Sequence, residues 1–147
     1  MAGRTIEERA RHVVERLEGD ADVWIATASR DGRPHLVPLS LYWDGTRIVV
    51  TNPKSSVTTA NVVSTGIARF ALNSSEDVVI IDAIVTVVDI ADAVDGLPES
   101  YAERTGWDPR DQEGDWVFLV ARPDRILAWN GPEEIEGRTV MRSSVWL

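Results

Sequence analysis

Val23-Trp24-Ile25-Ala26-Thr27-Ala28-Ser29, Arg30-Asp31-Gly32-Arg33, Pro34-His35-Leu36-Val37-Pro38-Leu39-Ser40-Leu41-Tyr42-Trp43, Asp44-Gly45 and Arg47-Ile48-Val49-Val50-Thr51 run in unbroken order and decide the fold class. Apolar, β-branched and aromatic residues alternate with polar ones, and the first two runs each lead into an Asp-Gly pair that favours a tight hairpin turn. The pattern predicts three strands in an up-and-down meander. In the second strand Val37, Leu39, Leu41 and Trp43 share one face, with Leu36, Pro38, Ser40 and Tyr42 on the other.

Upstream, Thr5-Ile6-Glu7-Glu8 has the form of a capping box, with Thr5 as N-cap and Glu8 reaching back. Ile6, Ala10, Val13, Val14 and Leu17 then hold one helical face, predicting a helix over 5–18 that stops near Gly19. Downstream, Asn52-Pro53-Lys54-Ser55-Ser56 breaks the strand pattern and precedes a short helix over Val57 to Val63, ending by Gly66. Strands follow over Ile67–Leu72 and Val78–Val88, then a helix over Pro98–Gly106. The last two strands, Trp116–Val120 and Arg125–Trp129, are expected to be split by Pro123. The tail, 130–147, has no assignable element. A mainly β protein is expected, a barrel with short helices and six to seven mostly antiparallel strands at about 23–129. The whole chain reads as one domain, because closing the sheet removes its edges.

Composition narrows the function. The chain has 147 residues, 44% apolar and 27% charged, which suits one globular core. No apolar run reaches the roughly 20 residues that cross a bilayer, so no membrane partner is expected. Met1-Ala2-Gly3-Arg4 leads straight into a charged helical pattern with no secretory segment, and a cytoplasmic location is expected. A net charge of −9 argues against nucleic acid. Without cysteine, and with only His12 and His35, the chain offers neither a disulfide framework nor the ligands of a zinc site. No phosphate-binding glycine loop and no nucleophile elbow occurs.

The remaining chemistry lies in Lys54-Ser55-Ser56-Val57-Thr58-Thr59-Ala60-Asn61, where a helix begins after a strand. Free backbone N–H groups at a helix start attract anions, and Lys54, Ser55, Ser56, Thr58 and Thr59 can donate to a phosphate. Spacing alone favours a capped surface helix, because Ser and Thr cap most helices. Lys54 being the only lysine beside fourteen arginines inclines the reading toward an anion contact.

The order of these parts resembles the pyridoxamine 5′-phosphate oxidase-like, FMN-binding split β-barrel superfamily, most of all its actinobacterial flavin- or deazaflavin-dependent oxidoreductases. The likeness is strongest over residues 5–72. It implies a homodimer holding FMN or coenzyme F420 at the subunit interface, with hydride transfer between that cofactor and a small-molecule substrate. No side chain of the chain is assigned a catalytic role. Carried onto this sequence, Val37, Pro38 and Leu39 pass beside the cofactor ring, and Thr51 and Asn52 edge it. Lys54, Ser56, Thr58 and Thr59 meet the phosphate. The chain departs from the family where basic residues are usual near the helix asparagine, carrying Thr58 and Ala60 there. That departure keeps a non-catalytic cofactor-binding or carrier protein of the same fold as the alternative. A haem-handling barrel fits less well, since neither histidine lies in a C-terminal segment.

Overall fold

Thr5 caps the first helix as its sequence requires: its side chain accepts the Glu8 N–H at 3.1 Å, starting α1 (Ile6–Gly19). The computed structural model describes residues 3–147. After α1 come β1 (Asp22–Ala28), β2 (Pro34–Ser40), β3 (Tyr42–Trp43), β4 (Ile48–Pro53), α2 (Val57–Thr65), β5 (Ile67–Ala71) and β6 (Asp77–Asp89). Then follow α3 (Leu97–Thr105), β7 (Trp116–Asn130), β8 (Thr139–Arg142) and β9 (Val145–Trp146), with single 3-10 turns at Ile90–Asp92, Pro109–Asp111 and Pro132–Glu134. All strand pairs are antiparallel.

The sheet order is β2-β1-β5-β6-β7-β4-β3, with β8 on β7 and β9 on β8. β2 and β3 stand at opposite ends of that order, yet only Leu41 separates them in sequence. This is how the sheet curls into a split β-barrel: the chain passes from one end to the other at Leu41, which is 1% exposed. The single strand expected over 34–43 is therefore two, and the three-strand meander is two hairpins, β1–β2 and β3–β4, facing each other across the barrel. The Leu41 N–H bonds Ala21 O at 2.9 Å, outside both ladders, so the strand bends there.

Two further expectations are corrected. Pro123 does not split the last strands, because β7 runs through it. The β6–β7 register shifts there, from Asp82↔Arg125 to Ala83↔Pro123, leaving Asp124 as an extra residue. A bulge tolerates proline's missing N–H. The tail is ordered too: β8 and β9 turn at Ser143 and Ser144, both with positive φ (51° and 63°). The described residues thus form nine strands, two of them only two residues long.

Inside the barrel, Val23, Ile25, Ile48, Val50, Phe70, Ile81, Val117 and Leu119 are fully buried; Val13 and Leu17 of α1 and Val62 of α2 join the same core. A smaller cluster, Val49, Phe118 and Tyr101, lies under α3.

A polar clamp ties the start of the chain to its end. Glu134, 4% exposed, accepts the Arg4 N–H at 2.6 Å, Arg4 Nη2 at 2.8 Å and the Asn130 N–H at 2.7 Å. These donors, Arg4 first, hold its carboxyl down to about 2. A depressed carboxylate stabilises the folded chain above its unfolded pKa, and the benefit is lost as pH falls through the folded value. Glu134→Gln should therefore cost about 1–3 kcal/mol at neutral pH. In denaturant titrations that difference should shrink as pH is lowered from about 4.5 toward about 2.

Candidate functional site

The β4–α2 junction is built from the residues that the sequence singled out, and most of their polar atoms are used internally. Thr51 and Asn52 are each 5% exposed. Tyr101 donates its hydroxyl to Ser40 O at 3.3 Å, and Thr51 Oγ1 lies 3.1 Å from that Tyr101 hydroxyl. Burial pushes the Tyr101 phenol up from its ordinary range. Ser56 is the N-cap of α2: its Oγ accepts the Thr59 N–H at 3.1 Å and donates to Thr59 Oγ1 at 3.0 Å, while Thr59 Oγ1 donates to Pro53 O at 2.9 Å. Thr58 is buried beside them, and Asn61 Nδ2 donates to Thr27 Oγ1 at 3.0 Å. Gly66 closes the helix in the left-handed conformation that glycine adopts freely, φ 74°.

Lys54 points away from this helix start. Its Nζ is 3.1 Å from Asp89 Oδ1, and that hydrogen bond, with the charges of Asp89, Asp115 and Asp92, raises its pKa. It shares an acid-lined hollow of about 440 Å³ with Asp89, Asp92, Arg110, Asp115 and Trp116. Val37 and Leu39 face inward and pack partly buried on the main core. Pro38 faces outward, opposite Trp24 of β1. The junction thus gathers Thr51, Asn52, Ser56, Thr58 and Thr59 into a fastening of α2 to β4, whereas Val37, Pro38, Leu39 and Lys54 lie elsewhere.

The outer face of the sheet carries a groove of about 480 Å³ that the sequence reading did not find. Ala26 and Ala28 of β1, Ile67 and Arg69 of β5, and Asp82 and Ile84 of β6 line it. The two alanines keep its floor low, and Ile67 and Ile84 stand 60% and 43% exposed. Arg69 clasps Asp82 across the strands, Nε to Oδ1 at 2.6 Å and Nη2 to Oδ2 at 3.1 Å. Beyond Ile84 lies a second recess of about 440 Å³, between the sheet and the stretch leading into α3. In sequence these residues look like ordinary strand positions; only exposed isoleucines on outward alternation mark them. Among the described residues no cluster of His, Asp and Glu is arranged to hold a metal, and no helix is long and apolar enough to cross a membrane.

A curled antiparallel sheet with helices at its ends and an external, mostly apolar groove defines a split β-barrel. Residues 10–130 match the family described as pyridoxamine 5′-phosphate oxidase, and the chain belongs to that family. No curated protein matches it in sequence. Similar solved structures include an F420 reductase, with TM-score 0.60 and 17% identity over 76% of this chain and 93% of that one. An FMN binding, pyridoxamine 5′-phosphate oxidase-related protein from Nostoc punctiforme has TM-score 0.56 and 14% identity, covering 87% and 82%. The heme storage protein HutZ from Vibrio cholerae has TM-score 0.68 and 15% identity, covering 85% and 98%. At these identities the likeness is one of fold.

Tyr101→Phe removes the hydroxyl that Thr51 and Ser40 share. A loss of about 1–3 kcal/mol in unfolding free energy is expected, because buried partners are left unpaired. Chemical denaturation of the two proteins side by side measures it.

Proposed function

We propose that this protein is an oxidoreductase that holds a flavin-type cofactor, FMN or the deazaflavin F420, and passes hydride between it and a small organic substrate. The observation that carries this reading is the outer groove, a low apolar floor with a charged rim, in a chain of the pyridoxamine 5′-phosphate oxidase family. Similar folds named as an F420 reductase and as FMN binding support the cofactor class. A tricyclic ring is flat and largely apolar, and Ala26, Ala28, Ile67 and Ile84 offer a matching surface. When bound, the ring supplies the redox chemistry.

The chain's own part is to seat and shield. Pro38 and Trp24 extend the apolar outer face beside the groove. Val37, Leu39, Thr51, Asn52, Thr58 and Thr59 act from beneath, fixing the strands and α2 on which the site rests. Ser56 closes on Thr59, and Lys54, exposed beside Asp89, is the candidate from the sequence reading that can turn to an anion. Trp24, Leu36, Ile67 and Ile84 are 38%, 60%, 60% and 43% exposed, a cost that a second copy of the chain would remove. We assign that face to a homodimer with the cofactor between subunits; light scattering should give twice the chain mass, and a monomer at micromolar concentration would refute it.

One observation favours the second reading, a non-catalytic cofactor-binding or carrier protein of the same fold. Lys54 is tied to Asp89 and set among acids, so a dianionic phosphate meets only one cation at the α2 start, and that one is engaged.

Parallel fluorescence titrations with FMN and F420 separate these readings. Binding of one cofactor, followed by its reduction and reoxidation by substrate, is expected of the enzyme; binding without turnover marks the carrier. Lys54→Ala should weaken the bound cofactor about ten- to a hundredfold if the lysine leaves Asp89 for the phosphate. An unchanged dissociation constant would leave the α2 start as a helix cap only.

A further inference from the structure

The second recess is walled by hydrocarbon and contains two guanidinium groups. Ile84, Val88, Val94 and Val120 form its apolar walls, and Arg47 and Arg122 lie in the same lining. Resting on the oxidoreductase reading, we propose that this recess is the substrate pocket and that it selects organic monocarboxylates with an apolar body, with Arg122 as the residue that recognises the carboxylate.

Arg122 has the properties such a site needs. Among the described residues no carboxylate pairs with it. It is nevertheless held in place: its Nη1 donates to the Ser144 hydroxyl, which itself donates to Pro123 O at 2.9 Å. The Ser144 N–H bonds Asp124 O at 2.9 Å, so the β8–β9 turn is fastened on the β7 bulge beside this arginine. The bulge and the positive-φ turn together position a guanidinium whose remaining N–H groups are free to fork onto a carboxylate.

Arg47 is a weaker second contact. Its Nε is engaged by Asp44 Oδ2 at 2.9 Å, leaving its terminal nitrogens. Asp92 also lines the recess, and Asp44 already pairs with Arg47, so Arg122 carries the charge left for a ligand. That balance suits a monoanion better than a doubly charged phosphate. The apolar walls call for a hydrocarbon body on the acid. Ile84 belongs to both linings, so a molecule seated here lies next to whatever occupies the groove over Ala26 and Ala28.

Benzoate and its neutral isostere benzamide test the assignment without any mutation. Calorimetric titration of the purified protein, with and without saturating cofactor, should show benzoate binding at least about tenfold tighter than benzamide. Arg122→Gln should lower benzoate affinity by a similar factor and Arg122→Lys by less, while the cofactor dissociation constant stays within about twofold. Equal binding of the two probes, binding of neither, undiminished benzoate affinity in Arg122→Gln, or displacement of benzoate by the cofactor would each overturn it. The outcomes stay distinguishable from failure of the oxidoreductase reading. Benzoate discrimination in a protein that takes up neither FMN nor F420 leaves the carboxylate pocket and removes the redox role; cofactor turnover without discrimination does the reverse.

Discussion

The antiparallel ladder between β6 and β7 runs from Asp77↔Asn130 to Asp89↔Val117, and every other part of the sheet hangs on it. β5, β1 and β2 are added on the β6 side, and β4 and β3 on the β7 side. Neither half closes alone, because their outer strands, β2 and β3, meet only through the chain at Leu41. A ladder this long and straight would twist its two ends far apart. The bulge at Pro123 and Asp124 bends it midway, which lets the sheet curl over one core of Val, Ile, Leu and Phe. The same bulge turns Asp124 toward the outer groove and anchors the turn at Ser144.

Charge follows this architecture. At the α2 start, where a phosphate site was expected, hydroxyls close on each other and on Pro53 O, and the lysine closes on an aspartate. On the outer face the pattern reverses. Among the described residues Arg122 stands without a carboxylate partner, Arg47 keeps part of its guanidinium free, and apolar side chains lie around both. With a net charge of −9, the protein as a whole repels anions.

Packing beneath the groove explains why its surface can be shallow and still rigid. Thr51 is fixed through Tyr101 to Ser40, α2 is fixed through Asn61 to Thr27, and α1 is fixed through Arg9, which donates to Ala128 O at 3.0 Å and Gly137 O at 3.1 Å. Each of these bonds joins residues far apart in sequence and spans two elements of the barrel. The strands that carry Ala26, Arg69 and Ile84 are thereby held from inside, and a flat ligand would meet a preorganised surface.

What the sequence determined by itself was local. Thr5 and Ser56 cap helices, Asp-Gly pairs turn hairpins, Gly66 ends α2, and the alternation of β2 puts Val37 and Leu39 inward, because each depends on hydrogen bonds or side-chain period within a few residues. The family likeness rests on that same order of local parts. Tertiary structure decided what no window of neighbours contains. Leu41 breaks a strand because its two halves pair with different partners across the barrel. Pro123 is tolerated because β6 offers a register shift opposite it. Ser143-Ser144 forms a hairpin turn without Asn or Gly because Pro123, Asp124 and Arg122 hold it. Lys54 pairs with Asp89, thirty-five residues away and brought beside it only by the β6–β7–β4 ladder. The outer groove joins β1, β5, β6 and Asp124 of β7, strands far apart in sequence, and only strand pairing makes them one surface.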